Sequence, residues 1–206
     1  METPINKDAP PPRSLLMRIL YSKEIGMAAL LLLSMVGLYF FAYRNMRFFI
    51  VPTSSMTPSL YPEDMLVTLK ERQYTRGDIV VAYDDGEYVV KRIVGLPGDN
   101  ISVVDGALFI NGKYAAEPYI SEPMKYTIER PVSIPDEFFF YLGDNRNQSE
   151  DSSLGFITSQ QGGRPGNPFA YLGRMEAIIG KVRFIYYPYG RFGKVYSYPL
   201  INVAGQ

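Results

Sequence analysis

Ile101-Ser102-Val103-Val104-Asp105-Gly106-Ala107-Leu108-Phe109-Ile110 reads as two short β-type runs on either side of a two-residue Asp-Gly turn. Asp-Gly between two apolar runs is a strong hairpin signal, because both turn residues of the favoured type must accept positive φ. Asn111–Gly112 follows at once as a second turn of the same chemistry. Working outward, further β-type runs bounded by turn signals occupy Met65–Leu69, Asp78–Tyr83, Tyr88–Val94, Phe138–Leu142 and Ile178–Tyr187. No long stretch after residue 48 keeps a helical period, so the pattern predicts an all-β or nearly all-β domain. The 17 Tyr and 12 Phe tilt the composition the same way, since aromatic side chains suit a pleated, half-buried surface. Thr158–Asn167, TSQQGGRPGN, reads as an exposed flexible loop.

Before this domain lies an apolar run of another kind. Ile25–Tyr43, IGMAALLLLSMVGLYFFAY, is 19 residues without a charge. At about 1.5 Å per residue a helix of that length extends roughly 28 Å, close to the hydrocarbon thickness of about 30 Å. Tyr39 and Tyr43 fall where interfacial aromatics are favoured, and Arg44 and Arg47 follow. The run is long for a cleavable targeting signal and no small-x-small pattern follows it, so it reads as a permanent transmembrane anchor. Lys7, Arg13, Arg18 and Lys23 precede the run, so the positive-inside rule favours a cytoplasmic N-terminus. The expected layout is a cytoplasmic tail over 1–24, polar and proline-rich, a transmembrane helix over 25–43, and an extracytoplasmic β domain over 48–206.

Composition excludes several classes. The chain holds 21 basic and 21 acidic residues, which argues against nucleic acid as a partner. With no His and no Cys, disulfides and thiolate chemistry are ruled out, and a zinc site would need an all-carboxylate shell. No metal and no cofactor is expected. A nucleophilic serine here must find a base other than histidine, and lysine is the known substitute.

Two features answer that requirement. Pro52-Thr53-Ser54-Ser55-Met56-Thr57-Pro58 places serines just after the apolar run, and Lys91 stands in the apolar strand Tyr88–Val94. A lysine acts as a base only when neutral, and its unperturbed pKa of about 10.4 falls when apolar neighbours such as Val89, Val90, Ile93 and Val94 penalise the charge. Strand alternation sends Lys91 and Arg92 to opposite faces, one towards a site and one towards a structural partner or solvent. On pattern alone the commoner reading of Lys91 is an edge-strand lysine whose ammonium reaches water. The polar segment Gly143–Ser152, GDNRNQSEDS, reads on its own equally as an Asn/Asp-rich surface turn.

Taken together, these three segments resemble type I signal peptidase, the Ser/Lys membrane protease family that removes signal peptides from exported proteins. The family's serine block, roughly P-S-x-S-M-x-P-T-L, is similar to Pro52–Leu60. Its lysine block is similar to Arg76–Val81 and Val90–Asp99, and its last block, G-D-N-R-x-x-S-x-D-S-R, to Gly143–Ser152. Ile179–Val182 and Tyr187–Pro188 are similar to the family's closing strand. Three ordered blocks behind a membrane segment are more specific than any one alone. The resemblance implies a mainly β, signal-peptidase-like domain with a small second β subdomain at about 100–137. Ser55 matches the nucleophile, Lys91 the general base, and Ser149 the serine that orients the lysine. Thr53 matches an oxyanion donor acting with the Ser55 N–H. Phe49, Val51, Met56, Leu60 and Val90 match the shallow apolar pockets that imply Ala-x-Ala-like cleavage sites. Arg92 with Asp144, and Asp151, match structural supports. The implied partners are signal peptides of exported preproteins and the lipid bilayer, at a bacterial plasma membrane or a thylakoid.

Departures from the family pattern are specific. Ser153 stands where an arginine would pair with Asp151, Asn147 where an aspartate is common, and Ser59 for the usual threonine. Ser153 and Asn147 support a second reading, an inactive anchored paralogue serving as a binding or assembly module; a third is a Ser/Lys peptidase dedicated to one precursor.

Overall fold

In the computed structural model, which describes residues 22–84, 86–160 and 168–200, the strand that carries Lys91 is the spine of the larger sheet. This strand, β4 (Glu87–Gly95), pairs antiparallel with β3 (Ile79–Asp84), in a register that sets Val80 opposite Lys91 and Ile79 opposite Arg92. Its other edge pairs with β9 (Phe138–Leu142) only from Arg92 onward, with a register shift before Gly95. β1 (Met46–Ile50), β2 (Met65–Leu69) and β11 (Ile178–Tyr187) complete one side of the sheet, and β10 (Gly173–Arg174) the other. The strand order is β1-β2-β11-β3-β4-β9-β10, with β12 (Gly193–Lys194) added to β11.

A smaller sheet has the order β7-β6-β5-β8, from β5 (Asn100–Val104), β6 (Ala107–Ile110), β7 (Lys113–Tyr114) and β8 (Ile128–Ser133). Its two hairpin turns have the predicted chemistry: Asp105 and Gly106 have φ of 50° and 76°, Asn111 and Gly112 of 54° and 74°. Alternate residues Ile101, Val103, Leu108 and Ile110 are buried, and they join Val94, Phe140 and Leu142 in one core. The small sheet is thus packed against the far ends of β4 and β9. A second core, containing Val51, Met56, Leu60, Leu66, Val90 and Val182, lies beneath the serine segment.

The expected mainly β fold is found, and the predicted runs appear as strands within a residue of the expected ends. Three elements depart from expectation. β1 was hidden because its apolar residues follow the helix without a turn signal. β8 contains Glu129, Arg130 and Pro131, which blur alternation; it is an edge strand, where proline is tolerated. The third is a helix after residue 48, α2, which spans Ser153–Gln160 and takes in the start of the expected Thr158–Asn167 loop. Residues 161–167 of that loop and residues 1–21 of the expected tail lie outside the described residues. The N-terminal helix α1 is Lys23–Asn45, with a mean hydropathy of 2.2 and no buried residue. Among the described residues it is the one helix long and apolar enough to cross a membrane.

Candidate active site

The serine segment folds into a 3₁₀ turn, Ser54–Met56, because Thr53 caps it and Met56 anchors it in the core. The Thr53 hydroxyl accepts from the Ser55 N–H at 3.5 Å and donates to Ser55 Oγ at 3.2 Å. Ser55 is 8% exposed and lines a cleft of about 330 Å³ together with Thr53 and Lys91.

Lys91 is 6% exposed, and its Nζ donates to Ser149 Oγ at 2.9 Å. Burial pulls the Lys91 ammonium below the ordinary lysine range, while the charges of Asp151, Glu150 and Asp144 pull the other way. Lys91 is thus biased towards its neutral form beside the Ser149 hydroxyl, in the cleft that Ser55 also lines, and a neutral amine is what general-base activation of a serine requires. The commoner sequence reading, an ammonium snorkelling to water, does not describe it.

Gly143 sits where the Ser149 hydroxyl and the Ser55 carbonyl both crowd the backbone. A Cβ there would stand 2.2 Å from Ser149 Oγ and 2.5 Å from the Ser55 carbonyl oxygen, so only a hydrogen at this position lets both approach. The loop then grips the serine turn directly: Asn145 N donates to Ser55 O at 3.0 Å, and its side-chain amide to Ser54 O and Thr57 Oγ1 at 3.3 Å each.

Arg92 takes other partners than Lys91. Its guanidinium is wholly buried and bidentate on Asp144, at 2.8 and 2.6 Å, and it donates to Gly77 O at 2.7 Å and Ser59 Oγ at 3.2 Å. The Tyr119 ring covers it, with Cζ 3.9 Å from the ring centre. Asp151 has no cationic partner among the described residues. Its carboxylate instead accepts from Gly143 N and Ser153 N, each at 3.0 Å, and from Ser153 Oγ at 2.7 Å. The serine that replaces the family's arginine thus serves the same carboxylate by neutral hydrogen bonds.

Of the residues matched to substrate pockets, Val51, Met56 and Val90 line the cleft. Phe49 packs against the same core with its ring 5.3 Å from that of Tyr88, and Leu60 is fully buried in that core. The cleft also takes in Glu87, Tyr88, Gln148 and Glu150, which sequence reasoning missed; their signal was adjacency to Lys91 along the strand and to Ser149 along the loop. Glu117, Tyr119 and Glu122 were missed altogether, because nothing local marks them as partners of residues in the Gly143–Ser152 loop. Among the described residues no group of three or more His, Cys, Asp and Glu is placed to hold a metal.

Residues 21–187 match the family described as "Signal peptidase, peptidase S26". The chain is 34% identical over 168 residues to "Signal peptidase I" of Bacillus amyloliquefaciens, covering 73% of this chain and 82% of that one. It is 32% identical over 190 residues to "Signal peptidase I S" of Bacillus subtilis (strain 168), covering 84% and 91%. A crystal structure of a signal peptidase I from Enterococcus faecalis V583 aligns at 23% identity with a TM-score of 0.40, over 53% of this chain and 97% of that one. With most of its length matched, from α1 through β11, the chain belongs to the signal peptidase family, peptidase S26, and is a serine endopeptidase.

Proposed function

We propose that this protein removes N-terminal signal peptides from exported preproteins with a Ser55/Lys91 dyad, cutting after small residues while anchored in the membrane by α1. The observation that carries the reading is the buried Lys91, its Nζ held 2.9 Å from Ser149 Oγ in the cleft that Ser55 also lines. Neutral Lys91 takes the Ser55 proton as Oγ attacks the scissile carbonyl. The oxyanion is held by the Ser55 N–H and the Thr53 hydroxyl once the Thr53 side chain turns from Ser55 to the substrate oxygen, and each such donor contributes about 2.7–4 kcal/mol in comparable sites. Protonated Lys91 then passes its proton to the departing amine, and water activated by the same lysine releases the acyl-enzyme.

The free edge of β4 supports an extended substrate. Glu87–Val90 pair with β3 on one side and, among the described residues, with no strand on the other. A signal peptide laid there would pass Ser55, and the apolar lining of Val51, Met56 and Val90 suits small apolar side chains. The charge bias around α1 favours a cytoplasmic N-terminus, with the β domain on the other side of a plasma or thylakoid membrane. Ser153 and Asn147, the departures that suggested an inactive paralogue, are both engaged in hydrogen bonds around the site.

The test is cleavage by the detergent-purified protein of several preproteins with Ala-x-Ala sites, and of matched versions with a bulky residue at either small position. Cutting of the first set alone, after the second alanine, is expected. Equal cutting of both sets rules out the proposed specificity, and cutting of a single precursor points to a dedicated peptidase. The rate is also expected to climb with pH: below the lowered Lys91 pKa the ammonium cannot accept a proton, above it the amine can, and the curve then levels. A pH-independent rate would remove lysine as the base. Gly143→Ala is expected to lower the rate by about 10²-fold or more, because the added carbon must push Ser149 or the Ser55 turn away. Wild-type activity in a Gly143→Ala protein with an unchanged near-UV circular dichroism spectrum would contradict the close packing.

A further inference from the structure

Three consecutive residues tie down the loop that carries Ser149, each in a different direction. Asn145 holds the Ser55 turn, as described above. Arg146, wholly buried, donates from both terminal nitrogens to the two oxygens of Glu117, to the Tyr119 hydroxyl at 3.3 Å, and from Nε back to Gly143 O at 3.1 Å. Asn147 accepts from Lys125 N at 2.8 Å and donates to Glu122 Oε1 at 2.9 Å and Pro123 O at 3.0 Å. Glu117–Lys125 connects β7 to β8 and is bonded into the small sheet, since Met124 N donates to the carbonyl of the hairpin residue Gly106 at 3.2 Å.

We propose that this segment makes the small sheet the positioning element for Lys91: Glu117 and Glu122–Lys125 hold Arg146 and Asn147, and the loop so held presses Ser149 against the Lys91 amine. The inference rests on the Ser55/Lys91 reading. Asn147 suits the task because its carboxamide accepts once and donates twice here. A carboxylate in its place could still accept from Lys125 N, but would face the Glu122 carboxylate and the Pro123 carbonyl with no proton to give. A loosened loop admits water to Lys91, and water restores the charged form that burial disfavours. The charged groups around Lys91 are Glu87 at the start of β4, and Glu150, Asp151 and the Arg92-paired Asp144 on the loop. None of these is altered in the variants below.

The experiment measures kcat, KM and the pH–rate profile of the full chain on one Ala-x-Ala precursor, for wild type, Asn147→Ala, Asn147→Asp, Asn147→Asp with Glu122→Gln, Glu122→Ala, and Lys91→Met. Asn147→Ala is expected to lower kcat between about 10- and 100-fold, with KM little changed and the rising limb moved to higher pH. Asn147→Asp should do the same, and adding Glu122→Gln, which returns a donor opposite residue 147, should recover most of the loss. Glu122→Ala, at an exposed side chain, should move the limb the same way by less. A fall in kcat with an unmoved limb, a wild-type profile in Asn147→Ala, or no recovery on adding Glu122→Gln overturns the positioning role. Lys91→Met separates the two levels: activity surviving there refutes the dyad itself, whereas activity lost there but untouched in the Asn147 variants refutes only the positioning.

Discussion

Ser55→Ala and Lys91→Met are each expected to lower precursor cleavage by about 10²-fold or more without harming the fold. Ser55→Ala removes the attacking oxygen, so the rate falls to background. Lys91→Met removes the base, which in positioned sites contributes about 10²–10⁴-fold. Methionine is the informative replacement because it keeps an unbranched stem of similar length and drops only the amine. Since burial already disfavours the ammonium, methionine removes a desolvation cost and should leave the melting temperature unchanged or slightly higher. The residual activity should also lose the rising limb of the pH profile. Side-by-side assays of purified proteins, with thermal melts on the same samples, check all three outcomes. A Lys91→Met protein that keeps both its rate and its limb would sink the assignment, and another group would have to be the base.

Arg92→Met has the largest expected effect on stability. Arg92 and Asp144 are both 0% exposed at their side chains, and the guanidinium holds three elements together through Asp144, Ser59 and Gly77. Removing the arginine strands a carboxylate in the interior, a change that typically costs about 3–5 kcal/mol. For a chain of this size that corresponds to a drop of roughly 6–20 °C in melting temperature. The double variant Arg92→Met with Asp144→Leu should be more stable than Arg92→Met alone, because it removes the stranded charge as well. Near-UV circular dichroism melts of the full chain in detergent distinguish these cases. A fall of less than a few degrees in Arg92→Met, or a double variant worse than the single, would mean that the pair does not carry the load its burial implies.

Much of this protein is local and therefore legible. Alternation at Ile101–Val104 and Ala107–Ile110, and the positive φ that Asp105–Gly106 tolerates, specify a hairpin whatever surrounds it. The uncharged run inside Lys23–Asn45 specifies a helix suited to a bilayer by length and composition alone. The three motif segments could be read from residue order, and with them Ser55, Lys91 and Ser149. Local pattern failed where pairing comes from afar. β8, with Pro131 and two charges, is a strand because β5 accepts it along one edge. Tertiary structure alone decided that Lys91 is enclosed rather than solvated, across 58 residues from its partner Ser149. It also decided that Ser153 satisfies Asp151 by neutral hydrogen bonds, and that Glu117 and Glu122 bond to Arg146 and Asn147 of the Gly143–Ser152 loop. The physical reason is the range of the forces concerned. Backbone propensity and turn chemistry act between neighbours in sequence, whereas desolvation and buried hydrogen bonds depend on whatever the completed fold packs against each group.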